Sequence, residues 1–389
     1  MSAAVSHSVF RTSECIIAGN GSLSMLGKRL AGIGNVRNVL IISSPSIHKQ
    51  GFVADIRRQL RNEGIGSDEL TGIRPEPTAD QLEQLHRSIE GEPFDVYIGI
   101  GGGSVLDAAK LLSVLRTNRR SIRDMLGIDR VEKPGVPTVL IPTTSGTGSE
   151  VTPNAIVTLP DESLKVGAVS SYLLPRIALL DPELTLTLPR DVTAATGVDA
   201  LTHALESYIC NKANPISDMM ALESIRKISG SLLAAYDNGT DLKAREEMLY
   251  GSMFGGMALT SAGTAAVHAL AYPLGGKFHI SHGLSNAMLL PHVMRYQIGS
   301  ITGKLQRVAE AMGLDTAGLS ASESAERVIE TMELWLKRLN IPRSLRQFGV
   351  SDEHLDDLAD SASKVTRLLN NNPKTLSVQD MKAIYAKLL

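Results

Sequence analysis

Cysteine is nearly absent from this chain, whose two thiols are Cys15 and Cys210. That excludes a disulfide framework and points to a reducing compartment, the cytoplasm. Charge of one sign is not in excess either. A formal net charge of -2 offers no basic face to nucleic acid or to an anionic membrane. Aromatic residues are sparse at 4%, so six Phe and one Trp can supply few walls to a substrate pocket. Residues 1–14 show neither the basic start nor the apolar core of a signal peptide. One uncharged run, Gly251 to Gly276, is long enough to span a bilayer. It is rich in Gly, Ala, Ser and Thr, carries His268 and lacks a positive flank, so it reads as a buried helix pair. The G-x-G-x-x-G fingerprint, the G-x-S-x-G elbow, the Walker A lysine loop and the H-E-x-x-H helix are all missing.

What is present divides in two. A length of 389 residues exceeds what one hydrophobic core usually serves. Up to about residue 185, strand and helix signals alternate. NVLIISS, DVYIGIGGG, VPTVLIPTT and RIALLDPEL read as strands; QGFVADIRRQLRNEG, ADQLEQLHRSIEGE and SVLDAAKLLSVLRTN read as helices. Alternation of this kind gives a parallel, doubly wound, Rossmann-like sheet. IVTLPDESLKVGAVS reads as a hairpin turning at Pro160-Asp161. From DVTAATGVDALTHALESYIC onward the apolar spacing is helical throughout. The expectation is an α/β domain over residues 1–185 and an all-helical domain over 186–389, with a functional cleft between them.

Chemistry concentrates in three places. Asp199 and His203 stand four apart, on one face of a helix if one forms. With His268 and His282 they could make a site of three imidazoles and one carboxylate, suited to Fe(II) or Zn(II). Separately, each has a plainer explanation: a surface hydrogen bond, a core histidine, a turn. GGGSVLDAAK (101–110) follows a strand and opens a helix. Gly101, Gly102 and Gly103 allow close backbone approach and Ser104 adds a hydroxyl, as a phosphate seat requires, though a tight strand–helix turn needs the same residues. PTTSGTGSE (142–150) offers Thr143, Thr144, Ser145 and Thr147 to adenine, ribose or phosphate, or caps its own loop. His7, His48, His86 and His354 read as surface residues.

Taken with PEPT (75–78), PTTSGTGSEVTPNAIVT, GVDALTHALESY and VHALAYPLGG…SHGLSNAMLLPHVMRY, these segments resemble the iron-containing (group III) alcohol dehydrogenases. The resemblance implies a dehydroquinate synthase-like architecture and a divalent metal, Fe(II) or sometimes Zn(II), held by Asp199, His203, His268 and His282. It implies NAD or NADP, with Gly101–Ser104 on the pyrophosphate and Asp107 in the same cofactor segment. Thr143, Thr144 and Ser145 match adenine and ribose contacts, and Lys165 a lysine near the nicotinamide ribose. The implied reaction is hydride transfer between nicotinamide and a small primary alcohol or aldehyde, in a homodimer or larger homo-oligomer.

Two positions depart from the family pattern. Tyr272 stands where many members have a second histidine, leaving proton relay to Tyr272, His279 or the cofactor ribose. Ser44 stands where NAD-specific members have aspartate, so NADPH is expected to be tolerated. Tyrosine at the first position also occurs in hydroxyacid–oxoacid transhydrogenases. Hydroxyacid chemistry, with Lys277 as the anion's partner, is therefore an alternative, although Lys277 reads more readily as a solvated loop charge. A dehydroquinate synthase-like lyase is the alternative of another class, but SHGLSNAMLLPH lacks the cations a phosphorylated acid needs.

Overall fold

The computed structural model describes residues 7–389 apart from 33 and 163, so residues 1–6 of the N-terminal segment and one residue of the expected hairpin lie outside the described residues. Among the described residues of the first half, nine strands form: β1 Cys15–Ala18, β2 Asn38–Ser43, β3 Gly66–Leu70, β4 Val96–Gly101, β5 Gly127–Ile128, β6 Thr138–Pro142, β7 Asn154–Leu159, β8 Leu164–Val169 and β9 Ile177–Leu180. Six of them make one parallel sheet in the order β1-β9-β6-β4-β2-β3. Alternation along β2 separates its two faces. Val39 and Ile41 join a core with Val53, Ile56 and Leu60, while Leu40 and Ile42 join another with Leu82 and Leu106. Helices therefore cover both faces of the sheet, which is why its inner strands are apolar throughout.

The chain after β4 crosses away from the direction taken after β2, so the carboxyl ends of these two neighbours open a crevice. Gly101–Ser104 sits at that edge. The hairpin forms, with β7 antiparallel to β8, but it belongs to a second sheet, β5-β8-β7, rather than to the parallel one. This places Lys165 on β8 against the helical half: a Cβ on Gly275 would lie 2.8 Å from Lys165 Nζ.

The helical half begins with the Arg190–Ile209 helix and shares one large core. The uncharged run from Gly251 divides between the Leu242–Ala262 and Ala266–Phe278 helices, broken at Gly263 (φ 82°). Among the described residues no helix is long and apolar enough to cross a membrane. The longest helix, His282–Ala311, has 30 residues and runs through Pro291.

Candidate active site

Asp199 and His203 project from one face of the Arg190–Ile209 helix; His268 lies in the first turn of Ala266–Phe278, and His282 is the first residue of the long helix. One donor atom from each falls within 4.8 Å of the others. The His203 and His268 rings are 4.7 Å apart, His268 and His282 5.2 Å. His282 Nε2 stands 3.8 Å from Asp199 Oδ1. Gly283 lets the two helices meet: a Cβ there would lie 2.7 Å from the Ala195 carbonyl oxygen and 3.4 Å from Asp199 Cβ. Gly283→Ala is therefore expected to cost about 1–3 kcal/mol through overpacking and to weaken divalent-metal binding by pushing His282 off Asp199. Thermal melts with a metal titration check this; unchanged metal affinity would refute it.

Electrostatics prepare the cluster for a cation. Burial lowers the His203 pKa and drives that of His282 to about 3, leaving both rings neutral with lone pairs free at pH 7. Burial alone would raise the Asp199 pKa, but His203, His282, His268 and the Asn286 amide together hold it below the usual carboxylate value. A buried carboxylate beside neutral imidazoles is a donor set that a divalent metal fits. The His282 shift has a signed consequence. Between pH 6.5 and about 3 the unfolded chain takes up a proton that the folded one refuses, so the metal-free protein should lose stability as pH falls through that range. Metal-free melts from pH 7.5 to 5 that stay flat would contradict it.

A cleft of about 1610 Å³ runs from this cluster to Ser44 and Gly102–Ser104. The 15-residue helix Gly103–Thr117 aims its N-terminus into it. Packing is tightest at Gly103, where a Cβ would come 2.6 Å from Thr147 Cγ2; one on Gly102 would press Thr144 Cγ2 at 3.3 Å. The second loop also joins the two halves of the molecule. His203 Nδ1 lies 3.3 Å from the Gly146 carbonyl. Gly148, at φ 60°, packs so closely on Gly256 that a Cβ would sit 2.7 Å from its Cα.

Not every expected residue faces this cleft. Thr143, Thr144, Thr147, Ser104, Lys165, Tyr272 and Ser44 line it. Ser145 does not: it is buried behind the loop with its hydroxyl unpartnered. Asp107 reaches the wall, and its oxygens accept from Ser149 Oγ (2.6 Å) and the Ile156 N–H (3.0 Å), which braces the loop. His279 is exposed in a left-handed helix cap (φ 55°), off the cleft, which removes it as a proton relay. Lys277 is helical rather than a loop residue, and pairs with Asp357 and with Ser361 Oγ at 2.7 Å, off the cleft. Two of the surface histidines are half-buried instead. His86 keeps a buried, unpartnered Nδ1, and His354 packs 5.1 Å from the Phe278 ring while bonding Ser351.

Other residues come into the site that composition and spacing did not single out. Asn286 Nδ2 donates to Asp199 Oδ1 at 2.7 Å and stands 3.2 Å from both His268 Nε2 and His282 Nε2. Glu76, in a left-handed conformation (φ 53°), pairs with Lys165 Nζ at 2.5 Å while its N–H reaches Ser104 Oγ. Arg367 and Arg74 line the cleft as exposed cations. Tyr272 is 8% exposed with its ring 6.1 Å from His282. Burial raises its pKa, against a partial lowering by Arg367, so the phenol stays protonated at neutral pH.

Comparison with known proteins agrees with this geometry along the whole chain. Residues 13–182 match the iron-containing alcohol dehydrogenase family, and residues 193–389 match the C-terminal part of the Fe-containing alcohol dehydrogenase family. Long-chain-alcohol dehydrogenase 1 of Geobacillus thermodenitrificans is 43% identical over 94% of this chain and 93% of its own. The NAD-dependent methanol dehydrogenase of Bacillus methanolicus is 33% identical, over 95% and 96%. A crystal structure of a 1,3-propanediol oxidoreductase superimposes with a TM-score of 0.94 at 33% identity, covering 99% of this chain and all of that one. With a clustered Asp–His₃ site, a glycine-lined cleft and family matches over both halves, the chain belongs to the iron-containing alcohol dehydrogenases, metal-dependent and NAD(P)-linked oxidoreductases of alcohols and aldehydes.

Proposed function

We propose that the protein interconverts small primary alcohols and their aldehydes, with Asp199, His203, His268 and His282 holding Fe(II), or Zn(II) in its place. The observation that carries this is one continuous cleft with the four donors at one end and the helix N-terminus at Gly102–Ser104 towards the other. The metal, when bound, supplies Lewis-acid polarisation of the substrate oxygen. The chain supplies orientation. The N–H groups at Gly102–Ser104 take the pyrophosphate, Thr143, Thr144 and Thr147 flank the ribose and adenine, and Lys165, steadied by Glu76, faces the nicotinamide half. Tyr272 donates its hydroxyl hydrogen towards the substrate end. With Tyr272 kept protonated by burial, the substrate proton would leave by way of the cofactor ribose or water. A homodimer or larger homo-oligomer in the cytoplasm completes the proposal.

Arg367 favours a second reading, in which an oxoacid or hydroxyacid carboxylate is held at the wall beside Tyr272. One assay tests both. The absorbance of NADH or NADPH at 340 nm is followed with short aldehydes and oxoacids, after Fe(II) loading and again after chelation. Fe(II)-dependent oxidation with aldehydes is expected. A preference for oxoacids that disappears in Arg367→Leu would replace the first reading by the second. Absence of turnover on any carbonyl, with metal bound, would overturn both.

A further inference from the structure

Glu206 lies one turn beyond His203 on the Arg190–Ile209 helix and is wholly buried. No lysine or arginine pairs with it among the described residues. Burying an ionised carboxylate is costly unless donors replace its water. Here three do. Oε1 accepts from the Val267 N–H at 2.6 Å, and Oε2 accepts from the Ala265 N–H at 3.0 Å and lies 2.6 Å from His268 Nδ1. Two of these donors belong to the first turn of the Ala266–Phe278 helix, where an anion is also favoured by the helix dipole.

The opposite side of the same ring gives an independent reading of where its proton sits. Asn286 Nδ2 is 3.2 Å from His268 Nε2, and an amide nitrogen can only donate. Nε2 therefore carries the lone pair, and the ring proton is on Nδ1, aimed at Glu206. Nε2 also faces the interior of the cluster, because the same Asn286 nitrogen touches Asp199 Oδ1 and His282 Nε2.

We propose that Glu206 is a positioning residue for the metal centre. It fixes His268 as the Nδ1–H tautomer, sets the rotation of the ring, and makes Nε2 a stronger donor through a charge-assisted bond. This rests on the reading that the four clustered side chains hold a divalent cation, and the test separates the two. Metal-free parent and Glu206→Gln are titrated with Co(II), with affinity read by chelator competition and geometry by the visible ligand-field bands. Glutamine keeps the size and one acceptor but no charge. The expected result is Co(II) binding weaker by roughly 10- to 100-fold, with shifted bands. Equal affinity and identical bands would overturn the proposal and leave Glu206 as a helix anchor alone. Failure of the parent to bind Co(II) would instead remove the cation reading, and the proposal with it. If Glu206→Gln does not fold, ¹⁵N-histidine spectra of the metal-free parent decide: Nδ1–H on His268 supports the assignment, and Nε2–H refutes it.

Discussion

Asp199→Asn is expected to reduce Fe(II)-dependent turnover roughly a thousandfold, the scale of about 4 kcal/mol of lost transition-state stabilisation, while costing the metal-free protein only modest stability. The asymmetry follows from the site's charge. Asp199 is 2% exposed, and its surroundings, the Asn286 amide among them, hold its pKa below the usual carboxylate value, so the metal-free fold favours the charge and loses a little when it is removed. Asparagine gives up that charge, but its side-chain oxygen still accepts from Asn286. With a divalent ion the loss is far larger, since asparagine offers no anion to the metal. Fe(II) at 100 times its dissociation constant should stabilise the parent by about 2.7 kcal/mol, and the variant by far less. Paired melts with and without Fe(II) measure both halves. An Asp199→Asn protein that gains as many degrees on metal addition as the parent would show that the carboxylate is not a ligand.

Ser44→Asp should reduce the catalytic efficiency with NADPH by roughly a hundredfold or more, about 2.7 kcal/mol, and change that with NADH severalfold at most. Ser44 caps the Pro45–Lys49 helix just after β2, accepting from the Ile47 N–H at 3.4 Å with its Oγ 2.9 Å from Ser46 Oγ. It lines the cleft, as does Arg74 beyond the end of neighbouring β3, so the rim offers hydroxyls and a cation where an aspartate would repel a 2′-phosphate. The measurement is the ratio of efficiencies with the two cofactors in parent and variant. A parent already favouring NADH more than ~100-fold would remove the premise, and an unchanged ratio in the variant would remove the mechanism.

How much of this was legible in the sequence depended on burial. Inner strands β2, β4, β6 and β9 announce themselves as apolar runs because both faces are covered. Edge strands β1 and β3 do not: GSDEL in β3 alternates exposed and half-buried residues and reads as loop. Asp199 and His203 could be paired by helical spacing alone. Glu206 continues the same stripe, seven residues after Asp199, and a carboxylate in so apolar a helix was a signal that went unused. Asn286, four residues after His282, was equally available. By contrast, the meeting of Glu76 with Lys165 depends on the packing of separate segments, and no local pattern announces it. The burial of Ser145 and the exposure of His279 depend on which way a loop and a helix cap turn.

The contact of Gly148 with Gly256, beside the bond between His203 and Gly146, has a consequence for how such a catalyst can change. Main chain laid against main chain has no rotamers to adjust, so the distance from the cofactor loop to the metal helix is built in as a fixed gauge. Substrate preference can then drift through wall residues such as Arg367 and Leu368 without resetting that gauge. Any side chain larger than hydrogen at position 148 or 256 would alter it for every substrate at once.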